Sequence, residues 1–220
     1  MCSDINNDLI NLWNKIKNDP LAISMHYTKL WNELNKDDDS IRRKKYFNYI
    51  RDKFNSEHNP LDFMFLMRTC LNGMPRFNSH GKFNTSLHIT RKGINPQTLN
   101  TILTEWSGLL NKYDVKFICC SYDKIIPNEY DFCYLDPPYI NTDTMYYGKM
   151  DYETLWNWIY NIKCKYALSF NGISGEDNNT YDVPKKIYKD HKYLVSGKSS
   201  FKRLSKTKEN VLVYESLYIA

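Results

Sequence analysis

Residues 1 to 72 contain no glycine; all eight glycines of the 220-residue chain lie at or beyond Gly73. Loops that need left-handed backbone, or that let a ligand lie against bare main chain, depend on glycine, so the first 72 residues cannot supply a glycine-rich loop. The six cysteines show no C-x-x-C spacing and the five histidines no ligand spacing, which excludes a zinc-type site and leaves no metal to assign. Most cysteines fall in apolar runs and read as reduced core residues of a cytosolic protein, with the vicinal Cys119 and Cys120 taken as part of a buried strand rather than a redox pair. No apolar run approaches membrane-spanning length, and the polar N-terminus shows neither signal peptide nor anchor. Internal repeats and low-complexity tracts are absent too.

What is present fits a soluble globular chain, with 25% charged and 42% hydrophobic residues and no composition shift, so one domain over residues 1–220 is expected. The net charge of +5 permits a polyanionic partner without requiring one. Its distribution is more telling: Arg68, Arg76, Lys82, Arg91 and Lys92 share one segment, and Lys185 to Lys208 form a second, read as a solvated face.

Along the chain, Ser3 or Asp4 is a plausible cap for a helix whose apolar positions Ile5, Leu9, Leu12, Trp13 and Ile16 repeat at helical spacing up to Pro20. Two further helices flank the acidic break Asp37-Asp38-Asp39, and "PLDFMFLMRTCL" reads as a fourth, ending at Asn72-Gly73. From Met74 to Pro96 the pattern turns to short β-like runs punctuated by Gly81 and Gly93, the signature of a hairpin with exposed polar groups. A helix from Pro96 to Asn111 follows, then strands at "VKFICCSY", "DFCYLD", "KYALSFN" and "NVLVYESL", with an amphipathic helix at "DYETLWNWIYNI". This interleaving predicts an α/β fold with a mostly parallel sheet and residues 22–95 as an insertion.

The segment "EYDFCYLDPPYINTD" carries the sharpest signal. Phe132 to Leu135 read as a short buried strand, and Pro137 and Pro138, which lack N–H donors, force a stiff extended loop after Asp136. Asp136 and Tyr139 are thereby held at a strand's carboxyl end, where open α/β sheets bind ligands.

With these residues the chain resembles the DNA adenine N6-methyltransferase (Dam) family, most closely its phage branch. Asp4-Ile5-Asn6 is similar to the family's acidic ribose-binding segment, "MPRFNSHGKFNT" to its target-recognition hairpin, and "NVLVYES" to its last strand, with Tyr122 and LDPPY in the family's order between them. The resemblance implies a Rossmann-like sheet, S-adenosylmethionine as cofactor, double-stranded DNA as substrate, and a place in the cytoplasm or wherever phage, viral or bacterial DNA is accessible. It also implies roles. Asp136 and the carbonyl of Pro137 would accept the amino hydrogens of a flipped adenine, Pro138 would stiffen the loop, and Tyr139 would stack on the base. Asp4 would bind the cofactor ribose and Tyr122 lie near its adenine; the plain alternatives are a helix cap and an aromatic at a strand edge. In the hairpin, Arg76 and Asn78 lie two residues apart, on one side of an extended segment, and suit guanine and adenine edges. Met74 matches a base-contacting apolar position, and Arg91 joins the set through its basic segment, with an ordinary surface charge as the alternative for Arg76. Leu71 and Ser86 stand where the phage members carry phenylalanine and proline, so the resemblance does not extend to their GATC target.

The family's glycine-rich loop and first strand have no counterpart here. The spacing Gly172-x-x-Gly175 in "SFNGISGEDN" does not replace them and reads as a surface turn. Three accounts follow: an adenine methyltransferase whose first strand and glycine loop lie upstream or on a second polypeptide, a catalytically inactive DNA-binding remnant, or an RNA base methyltransferase or other amine methyltransferase using the same loop. A missing first strand also predicts an unpaired sheet edge and an exposed apolar face.

Overall fold

Asparagine and aspartate mark nearly every helix start. The structure, a computed structural model, describes residues 1–139, 150–174, 177–178, 180, 183–198 and 212–220. Two compact units divide the chain, Met1–Tyr122 and Asp123–Ala220.

The first unit opens with strand β1 (Cys2–Asp4), followed by helices α1 (Asn7–Asn18), α2 (Pro20–Leu34), α3 (Ser40–Glu57), α4 (Pro60–Thr69) and α5 (Pro96–Lys112), and strand β2 (Phe117–Cys119). The cap of α1 is neither Ser3 nor Asp4 but Asn6, whose side chain accepts from the Leu9 N–H. Both earlier residues are committed to β1, which pairs in parallel with β2 from Cys2 opposite Phe117 to Asp4 opposite Cys119. Asp19 both ends α1 and caps α2 ahead of Pro20, and Asp39, Asn59 and Asn95 cap α3, α4 and α5. The helices close on an aromatic core in which Tyr27, Phe47, Phe54, Phe63, Phe65 and Phe83 are almost fully buried. Each such side chain contributes about 1.5–3 kcal/mol. Cys119, expected inside, is exposed at the end of β2.

The second unit carries strand β3 (Phe132–Leu135), helix α6 (Tyr152–Asn161) and strands β4 (Lys165–Ser174), β5 (Asp177–Asn178), β6 (Asp190–Lys198) and β7 (Leu212–Ile219). Their order is β3-β4-β7-β6, with β5 beside β4. β3 and β4 run parallel, but β7 is antiparallel to both β4 and β6, so this sheet is mixed rather than mostly parallel. The sequence hid β6 because lysines interrupt its alternation; lysine on an edge strand discourages pairing with other chains, and among the described residues β6 ends the sheet. Gly172 is not in a surface turn but in β4, where an added Cβ would lie 1.9 Å from the Tyr214 carbonyl oxygen of β7. β3 is not buried: Phe132 and Tyr134 are each 64% exposed, and among the described residues β3 pairs with β4 alone.

Residues 140–143 of the proline-loop segment, Gly175, Lys202, Arg203, Lys206 and Lys208 of the second basic stretch, and Asn210 and Val211 lie outside the described residues. Among the described residues, no helix is long and apolar enough to cross a membrane.

Candidate active site and nucleic-acid interface

The loop after β3 is held from two sides. Tyr152, the first residue of α6, donates from its hydroxyl to the Pro138 carbonyl at 2.9 Å. The Tyr139 hydroxyl lies 3.0 Å from Ser169 Oγ, on β4. Pairing of Leu135 with Leu168 explains the second contact, since it sets Ser169 one step past the end of β3, level with Asp136. Phe170, fully buried, presents edges to Tyr139 at 6.1 Å and Tyr152 at 5.7 Å, and Trp156 packs on it at 5.5 Å. Pro137 is buried and Pro138 and Tyr139 are half-buried, while Asp136 is exposed as a residue. Partial desolvation, and secondarily the charge of Glu215 on β7, push the Asp136 carboxyl above the usual carboxylate range. Burial also pushes the Tyr139 phenol up to about 12, so it is neutral at physiological pH. Chemically this is a proton-accepting carboxylate beside a rigid carbonyl-bearing turn and a tethered aromatic ring, a set suited to holding an amino group on a planar base.

Asp4 ends β1, and its carboxylate accepts from the Asn6 N–H at 2.7 Å while remaining exposed. Because Asn6 takes the helix-capping task, Asp4 is left available to a ligand at a strand's carboxyl end. Tyr122 opens a short 3-10 turn (Tyr122–Lys124) after β2.

The segment from Met74 to Arg91 forms an irregular antiparallel hairpin, bridged at Phe77–Phe83 and, at its base, Cys70–Leu87. Phe83 is 1% exposed and meets Phe77 edge-on at 5.8 Å, so this pair anchors the hairpin to the helical core. From α3, the Asn55 amide donates to the Phe83 carbonyl at 3.0 Å and accepts from its N–H at 2.8 Å, acting as a one-residue strand partner. Thr85 Oγ1 accepts from the Arg76 N–H at 2.7 Å and donates to the Met74 carbonyl at 3.1 Å. With Phe77 turned inward, its neighbours Arg76 and Asn78 are exposed. Asn78 Oδ1 accepts from the N–H groups of His80 and Lys82, which ties its amide oxygen to the hairpin turn. Arg91 is exposed and lines a cleft with Arg68, His88 and Asn72, below the hairpin.

Each unit thus gathers its own candidates: Asp4, Met74, Arg76, Asn78, Arg91 and Tyr122 in the first, Asp136, Pro137, Pro138 and Tyr139 in the second. Sequence reasoning missed Tyr152, Ser169, Phe170 and Glu215. Ser169 was within reach, because two parallel strands that begin together place the residues of the longer one beside the loop that follows the shorter.

The sequence model of one protein family, described as D12 class N6 adenine-specific DNA methyltransferase, matches residues 1–165. A type II methyltransferase of Methanocaldococcus jannaschii, M.MjaIII, is 33% identical over 150 residues, covering 62% of this chain and 49% of the relative. The DNA adenine methylase of Vibrio cholerae is 30% identical over 150 residues, 66% of this chain and 50% of the relative. The DNA N-6-adenine-methyltransferase of Escherichia phage P1 is 25% identical over 142 residues, 63% of this chain and 18% of the relative. The chain therefore spans about half the length of the first two relatives.

Proposed function

Because the chain belongs to the D12 class N6 adenine-specific DNA methyltransferase family, we propose that it methylates the exocyclic amino group of adenine in double-stranded DNA, with S-adenosylmethionine as methyl donor. The observation that carries this reading is the LDPPY loop, pinned at Pro138 by Tyr152 and at Tyr139 by Ser169.

S-adenosylmethionine, when bound, supplies an electrophilic methyl group on a sulfonium. Everything else is positioning. The adenine amino nitrogen is a weak nucleophile because its lone pair is delocalised into the ring. Asp136 and the Pro137 carbonyl accept its two hydrogens, which localises the lone pair and fixes its direction. Tyr139 stacks on the base once it has left the duplex, its ring held by the Ser169 contact. The exposed Asp4 carboxylate suits the two ribose hydroxyls of the cofactor. Arg76 reads a guanine edge, Asn78 and Met74 contact neighbouring bases, and Arg91 meets the backbone. On this reading residues 1–220 act as one methyltransferase domain with 22–95 as its target-recognition insertion. Residues 1–72 lack glycine, so they do not supply a glycine-rich loop for the methionine end of the cofactor. Among the described residues β3 pairs with β4 alone, which supports a Rossmann-like sheet that takes up a further strand at this edge, while the exposed Phe132 and Tyr134 leave one face of β3 for a covering layer.

Calorimetric titration of S-adenosylmethionine into the 220-residue chain, with Asp136→Ala as control, tests the proposal together with a methyl-transfer assay on adenine-containing duplex DNA. Micromolar binding, roughly −8 kcal/mol, with transfer abolished by Asp136→Ala is expected. DNA binding without cofactor binding would replace the enzyme with a DNA-binding remnant, and methylation of RNA in preference to DNA would replace the substrate.

A further inference from the structure

Helix α3 carries four consecutive cations, Arg42 to Lys45, which the proposed chemistry does not use. Two of them are structural. Arg42 pairs with the Asp37 carboxylate at 2.8 Å and donates to the Glu33 and Leu34 carbonyls at the end of α2, both at 2.9 Å. Arg43 is 6% exposed and donates to the Ile89 carbonyl at 2.7 Å and the Arg91 carbonyl at 3.2 Å. Lys44 and Lys45 remain: both are exposed, and among the described residues neither makes an ion pair. With Ser40, Ile41, Asn48 and Ile89 they line a shallow groove that holds no carboxylate.

Resting on the DNA-methyltransferase reading, we propose that this groove is a second, sequence-independent contact with duplex DNA, seating the sugar-phosphate backbone beside the target site. The chemistry is complementary. Each lysine offers three donors and no acceptor, as a phosphate requires, and the exposed Ile41 and Ile89 offer apolar surface to deoxyribose. Continuity selects DNA over other polyanions: the buried Arg43 fixes α3 to the backbone at residues 89 and 91, on the limb that returns from the recognition hairpin and carries Arg91. The acids Asp37, Asp38 and Asp39 precede α3 and do not line the groove: Asp39 caps the helix, Asp37 pairs with Arg42 and Asp38 lies 3.7 Å from Lys92.

The test is DNA binding by the full chain, measured by fluorescence anisotropy on duplexes of several sequences across a potassium chloride series, with the double variant Lys44→Gln/Lys45→Gln. Each lost phosphate contact makes the log–log salt slope shallower by about 0.9, so a change of roughly 2 is expected, with affinity lowered roughly ten- to hundred-fold at low salt and equally on every sequence. Unchanged circular dichroism and thermal midpoint will verify the fold, since both side chains are exposed. Wild-type binding with a variant of equal affinity and slope overturns the groove and leaves the methyltransferase reading standing. A wild-type chain that binds no duplex at all removes that reading and the groove with it. Polyglutamate that displaces DNA at equal charge concentration overturns the assignment to nucleic acid.

Discussion

Replacing Gly93 by alanine tests how the segment that follows the hairpin is seated on the helices. Gly93 has φ +84°, a left-handed conformation costing an L-residue about 1–2 kcal/mol. A Cβ there would meet Thr69 Cγ2 at 2.9 Å, the Arg68 carbonyl oxygen at 3.0 Å and Tyr27 Oη at 3.1 Å. The tyrosine cannot yield cheaply, because it is fully buried and its hydroxyl donates to the Ile94 carbonyl at 2.8 Å. Overpacking of this kind costs about 1–3 kcal/mol, while alanine recovers about 0.4–1 kcal/mol by restricting the unfolded chain. The net expectation for Gly93→Ala is a loss of about 2–4 kcal/mol. Gly108 is the internal contrast: it sits in α5, exposed, with nothing within 4 Å of an added Cβ. Gly108→Ala should gain about 1 kcal/mol from helix propensity alone. Urea unfolding followed by far-UV circular dichroism separates the two. With a slope of about 2 kcal/mol per molar urea, the midpoint should fall by about 1–2 M for Gly93→Ala and rise by about 0.5 M for Gly108→Ala. A Gly93→Ala protein as stable as wild type, or a Gly108→Ala protein that loses stability, would refute the reasoning.

Other expectations concern the loop and a buried ion cluster. Tyr152→Phe removes the donor to the Pro138 carbonyl, worth about 1 kcal/mol, so turnover in single-cycle methyl transfer should fall about five-fold with the melting temperature little changed; undiminished turnover would show that the loop needs no brace. The raised pKa of Asp136 means that it protonates, and loses its acceptor role, at a higher pH than an ordinary aspartate at about 4. The acid limb of a pH–rate profile should lie correspondingly high, and Glu215→Gln should move it down; an unmoved limb would exclude the coupling. Asp62 is fully buried, 2.6 Å from His26 Nε2 and 3.2 Å from Lys53 Nζ. Burial alone would raise its pKa, but these two partners outweigh burial and hold it below the usual value. Its stabilisation is therefore present above the unfolded-state pKa of about 4 and lost as pH falls through the lower folded value. Asp62→Asn should cost about 3 kcal/mol at neutral pH, with the gap from wild type narrowing in acid, as read from urea midpoints at both pH values.

The helical half was legible because its punctuation is chemical. Asp19-Pro20, Asn59-Pro60 and Asn95-Pro96 each announce a start with a side-chain acceptor followed by a residue that needs no donor of its own. Strands were less legible. β6 carries the charges of an edge, and β3 looks buried on paper because Phe132 and Tyr134 are apolar, whereas exposure depends on neighbours that no local pattern states. In the candidate site, Asp136 to Tyr139 declared themselves through proline chemistry. Tyr152 did not, because a tyrosine one residue into an amphipathic helix carries no mark of the carbonyl it will meet. The Arg42–Lys45 run shows the same limit: four like charges read alike, and only packing divides them into a clasp, a buried clamp and two outward cations.

Asn55 bears on what the hairpin can tolerate at its surface. By bonding both the N–H and the carbonyl of Phe83, a helix side chain helps set the hairpin's alignment from the rear, together with main-chain bonds that the outer residues make through their backbone rather than through the side chains of Leu71, Arg76 and Ser86. Those residues, Leu71, Arg76 and Ser86 among them, are exposed and so can be exchanged without shifting the frame that displays them. If the hairpin reads DNA as proposed, it is a mount with replaceable contacts, and a graft of residues 74–86 between relatives should carry its preference along wherever the recipient helix keeps its asparagine.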